Sequence, residues 1–189
     1  LDDTSKDDFG ILHVDAHHDL REAYEGFTYS HASIFYNVLN ECKNVSKLIQ
    51  VGIRDYSKEE SQRMINLGDK GDCLYDTAMQ AQIATGKSLE EVFTPYIEQL
   101  PKNVYISIDI DGLEPLNCPN TGTPVPGGLR YGELEHLIFM VVKSGRKIIG
   151  FDLVEVGDSK NGWDANVGSR VLYNLCGALL ASQSKIEYR

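Results

Sequence analysis

Basic charge is scarce in this sequence. Its 18 lysines and arginines stand against 28 aspartates and glutamates, a net charge of -10. Binding a nucleic-acid backbone needs the opposite balance, so nucleic acid is not an expected partner. Long apolar runs are missing too: none approaches the ~18 residues of a membrane span, so no membrane partner is expected. No signal peptide is visible. Cysteine is sparse, and Cys42, Cys73, Cys118 and Cys176 form no C-x-x-C pair. They suit neither a zinc knuckle nor a disulfide framework, and scattered thiols fit a reducing cytoplasm, the expected location. Internal repeats and low-complexity tracts are absent. What remains is the composition of an ordinary soluble protein, and residues 1–189 suit one domain with a sizeable core.

Strand-like and helix-like stretches alternate. Residues 10–14, 48–53, 104–109 and 147–154 are short apolar runs that predict strands. Residues 31–42, 58–66, 77–85, 131–143 and 166–180 have helical spacing. Ser88-Leu89-Glu90-Glu91 has the form of a capping box and should open another helix, in which Pro95 predicts a kink or a short break. Such alternation predicts an α/β fold with a parallel sheet covered on both faces, and ligands beyond the carboxyl ends of its strands.

Asp15, Asp109 and Glu155 all lie at such ends. The first segment reads Asp15-Ala16-His17-His18-Asp19, the second Asp109-Ile110-Asp111. In an extended chain alternate side chains share a face, which would gather Asp15, His17 and Asp19 and would pair Asp109 with Asp111. If the two strands are neighbours, four carboxylates and one imidazole converge, more negative charge than a site holds without cations. Oxygen-rich ligands with one nitrogen favour hard or borderline metals such as Mn²⁺. Two such ions ~3.5–4 Å apart can share and acidify a water. Aspartates after strands also cap helices and make turns, a reading open above all for Asp111-Gly112. His13 is in phase with Asp15 and is either a ligand or a buried, hydrogen-bonded histidine. His18 points the other way and should lie behind the ligands or at the surface.

The stretches HVDAHHDLREAYEGFTYSHASIF, SIDIDGLEPLNCPNTGTPVPGGL and GFDLVEV, in that order, resemble the ureohydrolases, the family of arginase and agmatinase. The likeness extends from about residue 11 to 180 and is strongest to bacterial agmatinases. It implies a three-layer α/β/α fold with a mostly parallel central sheet, and two Mn²⁺ ions per subunit. Asp15, His17, Asp19, Asp109 and Asp111 fall on metal-ligand positions, with Asp15 and Asp109 bridging. His31 falls on a proton-shuttling position and Glu155 on one that contacts the substrate guanidinium. The implied reaction is hydrolysis of a small guanidino compound, agmatine or arginine-like, to an amine and urea. The implied assembly is a homo-oligomer, a trimer or hexamer. On their own residue types, His31 could simply start a helix, Glu155 could be solvated, and Thr121 to Gly128 could be a rigid connector.

The sequence departs from the family in places. The family has one more ligand, a histidine in a G-G-D-H segment upstream, and only fourteen residues precede Asp15 here. The expectation is that the chain is N-terminally incomplete and lacks the first strand of the sheet, leaving a hole in the core. A non-catalytic homologue used for assembly or ligand sensing is the alternative. Arg21 stands where arginases usually carry an asparagine that meets the amino-acid head of their substrate. It should therefore face away from the site or bind a carboxylate substrate.

Overall fold

The computed structural model describes residues 7–183. Five strands, β1 (Phe9–Val14), β2 (Val45–Val51), β3 (Gly71–Leu74), β4 (Asn103–Asp109) and β5 (Lys147–Val154), form one sheet in the order β3-β2-β1-β4-β5. Every pairing is parallel. The described residues also form six α-helices, one after each strand but two between β3 and β4: α1 (Ile34–Glu41), α2 (Lys58–Asn66), α3 (Asp76–Ala84), α4 (Leu89–Ile97), α5 (Tyr131–Lys143) and α6 (Trp163–Ser182).

Each β1 side chain is buried, as a central strand covered on both faces requires. One core cluster joins Leu12, Val14, Ile106 and Ile108 to Phe93 of α4, Leu137 of α5 and Leu175 of α6. The other joins Ile11 and Leu48 to Phe35 of α1 and Met64 of α2. Alternate strand residues feed the two clusters, so the sheet is the middle of three layers. The core thins at β5, an edge strand that is half-buried along most of its length.

From β1 the chain winds one way to β2 and β3, and from β4 the other way to β5. The strand order therefore reverses between β1 and β4, where an open α/β sheet has a crevice at its carboxyl ends. Asp15 follows the last residue of β1, and Asp109 is the last residue of β4.

Helices α2 and α5 and strand β5 occupy the stretches expected of them. The capping box at Ser88 is present: its hydroxyl accepts the Glu91 N–H at 3.2 Å, and the Glu91 carboxylate accepts the Ser88 N–H at 2.8 Å. Three expectations need correction. Helix α4 runs through Pro95 without a break, because the proline sits two residues from its end and few helical bonds lie beyond it. The helix expected over residues 31–42 begins as a single 3-10 turn, His31–Ser33, before α1. Strand β3 was not anticipated: Gly71-Asp72-Cys73-Leu74 is four residues long and half polar, and it survives by pairing with β2 at the sheet edge.

Candidate metal centre

The crevice is a cavity of about 400 Å³ whose lining includes Asp15, His17, Asp19, Asp109, His31 and Glu155. Asp15 is anchored by its own N–H, which donates to the Val51 carbonyl at 3.2 Å. Its Oδ1 accepts the His17 N–H at 2.6 Å and lies 3.2 Å from His17 Nδ1. The same Nδ1 is 3.1 Å from Asp111 Oδ2. Asp111 closes the joint: its Oδ1 accepts the Ala16 N–H at 3.1 Å, and its Oδ2 accepts the Thr123 hydroxyl at 3.1 Å. The two acidic segments are thus bonded directly to each other.

Two groups of ligand atoms lie within 4.8 Å of one another: Asp15, His17 and Asp111, and His13, Asp15 and Asp19. Asp15 belongs to both. Asp109 lines the same cavity, and its Oδ1 accepts the Asp111 N–H at 2.9 Å, but it is in neither group. The convergence does not come from simple alternation. Asp19 turns inward through a left-handed backbone, φ +54°, a conformation that Asp tolerates better than most residues. Its neighbours pin it there: Phe35 N–H donates to the Asp19 carbonyl at 3.0 Å, and Leu20 N–H to Glu60 Oε1 at 3.2 Å. Asp111 sits in a 3-10 turn, Ile110–Gly112, rather than in an extended run.

Burial and the neighbouring charges of Asp15 and Asp111 push the Asp109 carboxyl up to about 10, and burial with Asp15 pushes Asp19 up to about 8. Burial opposes protonation of His17, but its hydrogen bonds to Asp111 and Asp15 prevail and raise it to about 11. Asp15 would also rise on burial, yet the hydrogen bonds it accepts from His13 and His17 hold it below the ordinary carboxylate range. The metal-free cluster therefore keeps protons that a cation would replace. Four carboxylates and one imidazole gathered at this crevice, three of the carboxylates buried, fit divalent ions that prefer oxygen.

The Arginase family model matches residues 1–177. The chain belongs to the arginase family. It is 36% identical over 170 residues to N(1)-aminopropylagmatine ureohydrolase of Thermus thermophilus, covering 90% of this chain and 54% of that protein. It is 37% identical over 155 residues to an agmatinase of Halalkalibacterium halodurans, covering 79% and 47%. The crystal structure of agmatine ureohydrolase of Thermoplasma volcanium superposes with a TM-score of 0.73 at 27% identity, covering 94% of this chain and 56% of that one. The chain spans about half the length of the curated relatives it matches.

The two arginase-family residues expected to act on the substrate both line the cavity. His31 begins the 3-10 turn, with its ring edge-on to Tyr24 at 5.4 Å. Glu155 follows β5 with φ +60°. Its Oε2 would lie 2.9 Å from a Cβ at Gly122, so the loop must be bare there for the carboxylate to approach it. Arg21 also lines the cavity, half-exposed, with its guanidinium 5.0 Å above the Tyr24 ring and its Nε 3.5 Å from Glu60 Oε2. It does not face away as one reading required, and its charge is already shared with Glu60. His18, expected behind the ligands or at the surface, is fully buried.

Three supporting residues escaped the sequence reading. Gln50 and Glu60 lie under the site, and Arg54 beside it. Arg54 donates to the carbonyls of Gly52, Asp111 and Val125 at 3.0, 2.7 and 2.9 Å, tying the Thr121 to Gly128 loop to the turn that carries Asp111. Gly128, at φ +98°, leaves space for it: a Cβ there would come within 2.8 Å of Arg54 Nη2. Arg54→Met keeps the bulk and strands these carbonyls. We expect it to cost roughly 2–4 kcal/mol in a denaturant melt. A melt unchanged from wild type would show that the loop does not depend on this brace.

Proposed function

We propose that this chain is the metal-binding part of a Mn²⁺-dependent ureohydrolase that converts a guanidino amine, agmatine or a close relative, to an amine and urea. What carries the reading is the meeting of Asp15, His17 and Asp111 at the switch point of the sheet, with His31 and Glu155 on the walls of the same cavity. Asp15, His17, Asp19, Asp109 and Asp111 would hold the ions. Divalent ions bound there would lower the pKa of a water from ~15.7 towards ~7.

The protein's own groups account for the rest. A guanidinium is a planar cation with fixed donors, and the Glu155 carboxylate is its natural partner. Water adds to the guanidinium carbon, the bond from that carbon to the alkyl nitrogen breaks, and the departing amine takes up a proton. His31, in the lining of the same cavity, would deliver that proton. Towards the opening, Asp55 is largely exposed, while Arg21 is engaged by Glu60 and Tyr24. A distal ammonium meets the exposed Asp55 carboxylate, whose His17 Nε2 neighbour is 3.9 Å away, and a distal carboxylate meets a cation held more closely by Glu60.

Urea release by the Mn²⁺-loaded protein from agmatine, N-aminopropylagmatine, arginine and 4-guanidinobutyrate tests both parts. The amines should exceed the two acids in kcat/KM by about tenfold or more. Preference for an acid would reverse the substrate assignment, and no urea from any of the four would leave a non-catalytic homologue.

A further inference from the structure

A polar chain runs beneath Asp15 that the proposed chemistry does not use. His13 is 2% exposed, and Gln50 and His18 are fully buried. One end of the Gln50 amide is 2.8 Å from the His18 carbonyl oxygen and 2.9 Å from His13 Nδ1. A carbonyl only accepts, so the Gln50 group facing it is the NH₂, whichever way the amide is drawn. Its second hydrogen points at His13 Nδ1. A proton on that nitrogen would set two donors against each other at 2.9 Å, so Nδ1 carries a lone pair. The other end, Gln50 Oε1, is 2.6 Å from His18 Nδ1 and accepts from it, which fixes the amide from both sides. With Nδ1 bare, the His13 proton is on Nε2, which lies 2.9 Å from Asp15 Oδ2.

We infer that His13 is a positioning residue: Gln50 locks it as the Nε2–H tautomer, and that hydrogen holds the Asp15 carboxylate in place. The inference rests on the reading of Asp15 as a metal ligand. A His13 ring nitrogen falls within 4.8 Å of ligand atoms of Asp15 and Asp19, a group that by distance alone invites a third ligand, and Nε2 is the one that faces Asp15. The proton placed there by Gln50 excludes it. A metal needs the lone pair, and here the lone pair is on the far side of the ring. The His17 ring differs: its Nδ1 faces two carboxylates, and no Gln amide is bonded to it. The usual supporting arrangement, in which a carboxylate orients a ligand histidine, is inverted, with a histidine orienting a ligand carboxylate.

Two measurements on the full chain test this. With ¹⁵N-labelled histidine, long-range ¹H–¹⁵N correlation of the metal-free protein should report His13 with a bare Nδ1 and a protonated Nε2, the signal being assigned by its loss in His13→Gln. The opposite tautomer, or an imidazolium, overturns the inference. Mn²⁺ titration followed by electron paramagnetic resonance gives the second. His13→Phe keeps a ring against Phe35, now 4.1 Å away between centroids, but removes the donor, and should weaken Mn²⁺ by ~10–100-fold. His13→Gln can present an amide N–H at the position of Nε2 and should retain most of the affinity. Equal affinity in wild type and His13→Phe, or a His13→Gln as weak as His13→Phe, overturns the positioning role. Failure of the wild type to take up Mn²⁺ strikes the metal reading of the site instead, and the tautomer measurement still decides the hydrogen bond.

Discussion

Asp109→Asn should reduce urea release to background and strip the site of Mn²⁺, and yet make the metal-free protein more stable. The two effects have one cause. Asp109 shares its crevice with Asp15 and Asp111, and burial together with their charge raises its carboxyl from 3.8 to about 10. An unfolded chain releases that proton near its ordinary value. Between about pH 4 and pH 10 the folded, metal-free chain therefore holds a proton that the unfolded chain has given up, and stability drains away as pH rises through this window. Asparagine has no proton to lose, and its Oδ1 can still accept the Asp111 N–H that Asp109 accepts at 2.9 Å. At about pH 8 the variant should melt higher in the presence of a chelator, by ~2–4 °C for each kcal/mol regained. At about pH 3.5, below both values, the two proteins should melt together. The metal-loaded comparison should run the other way, because only wild type gains stability from bound ion. Normal Mn²⁺ stoichiometry in the variant would remove Asp109 from the ligand set. Parallel pH–stability curves would mean that the carboxylates do not crowd one another.

The same residues show where sequence reading succeeds and where it stops. Val104 to Asp109 is a near-continuous apolar run closed by an acid, and an all-parallel sheet buries such strands on both faces, so the strand and its active end are both legible. That Asp15, His17 and Asp19 meet was expected from alternation, but the means is different: Asp19 arrives through φ +54°, which no neighbouring residue type announces. Arg54 and Gln50 were illegible for another reason. In Ile49-Gln50-Val51-Gly52-Ile53-Arg54 nothing local names their partners, which lie 32 to 37 residues away for Gln50 and up to 71 for Arg54. A hint was present all the same. A glutamine inside a run of buried apolar residues must find hydrogen bonds somewhere, and Gln50 stands opposite His13 in β1, the neighbouring strand that runs into Asp15.

His31→Ala should separate the acid–base step from the metal site. His31 lies in the cavity lining but in neither ligand group, so its loss should leave Mn²⁺ affinity and stoichiometry at wild-type values. Turnover should fall by ~10²-fold or more, since an alkyl amine leaves poorly without a proton. The fall should appear in kcat, with KM little changed, because the substrate's guanidinium is assigned to Glu155 on another wall of the cavity. Truncation also opens space beside the Tyr24 ring, which His31 meets edge-on at 5.4 Å. Small imidazoles added to the buffer should enter that space and restore part of the rate, in proportion to their protonated fraction. A residue that only started the 3-10 turn would behave differently: its loss would lower the melting temperature, and no added acid would recover the rate. An unchanged kcat would take His31 out of the mechanism and require the proton to come from solvent.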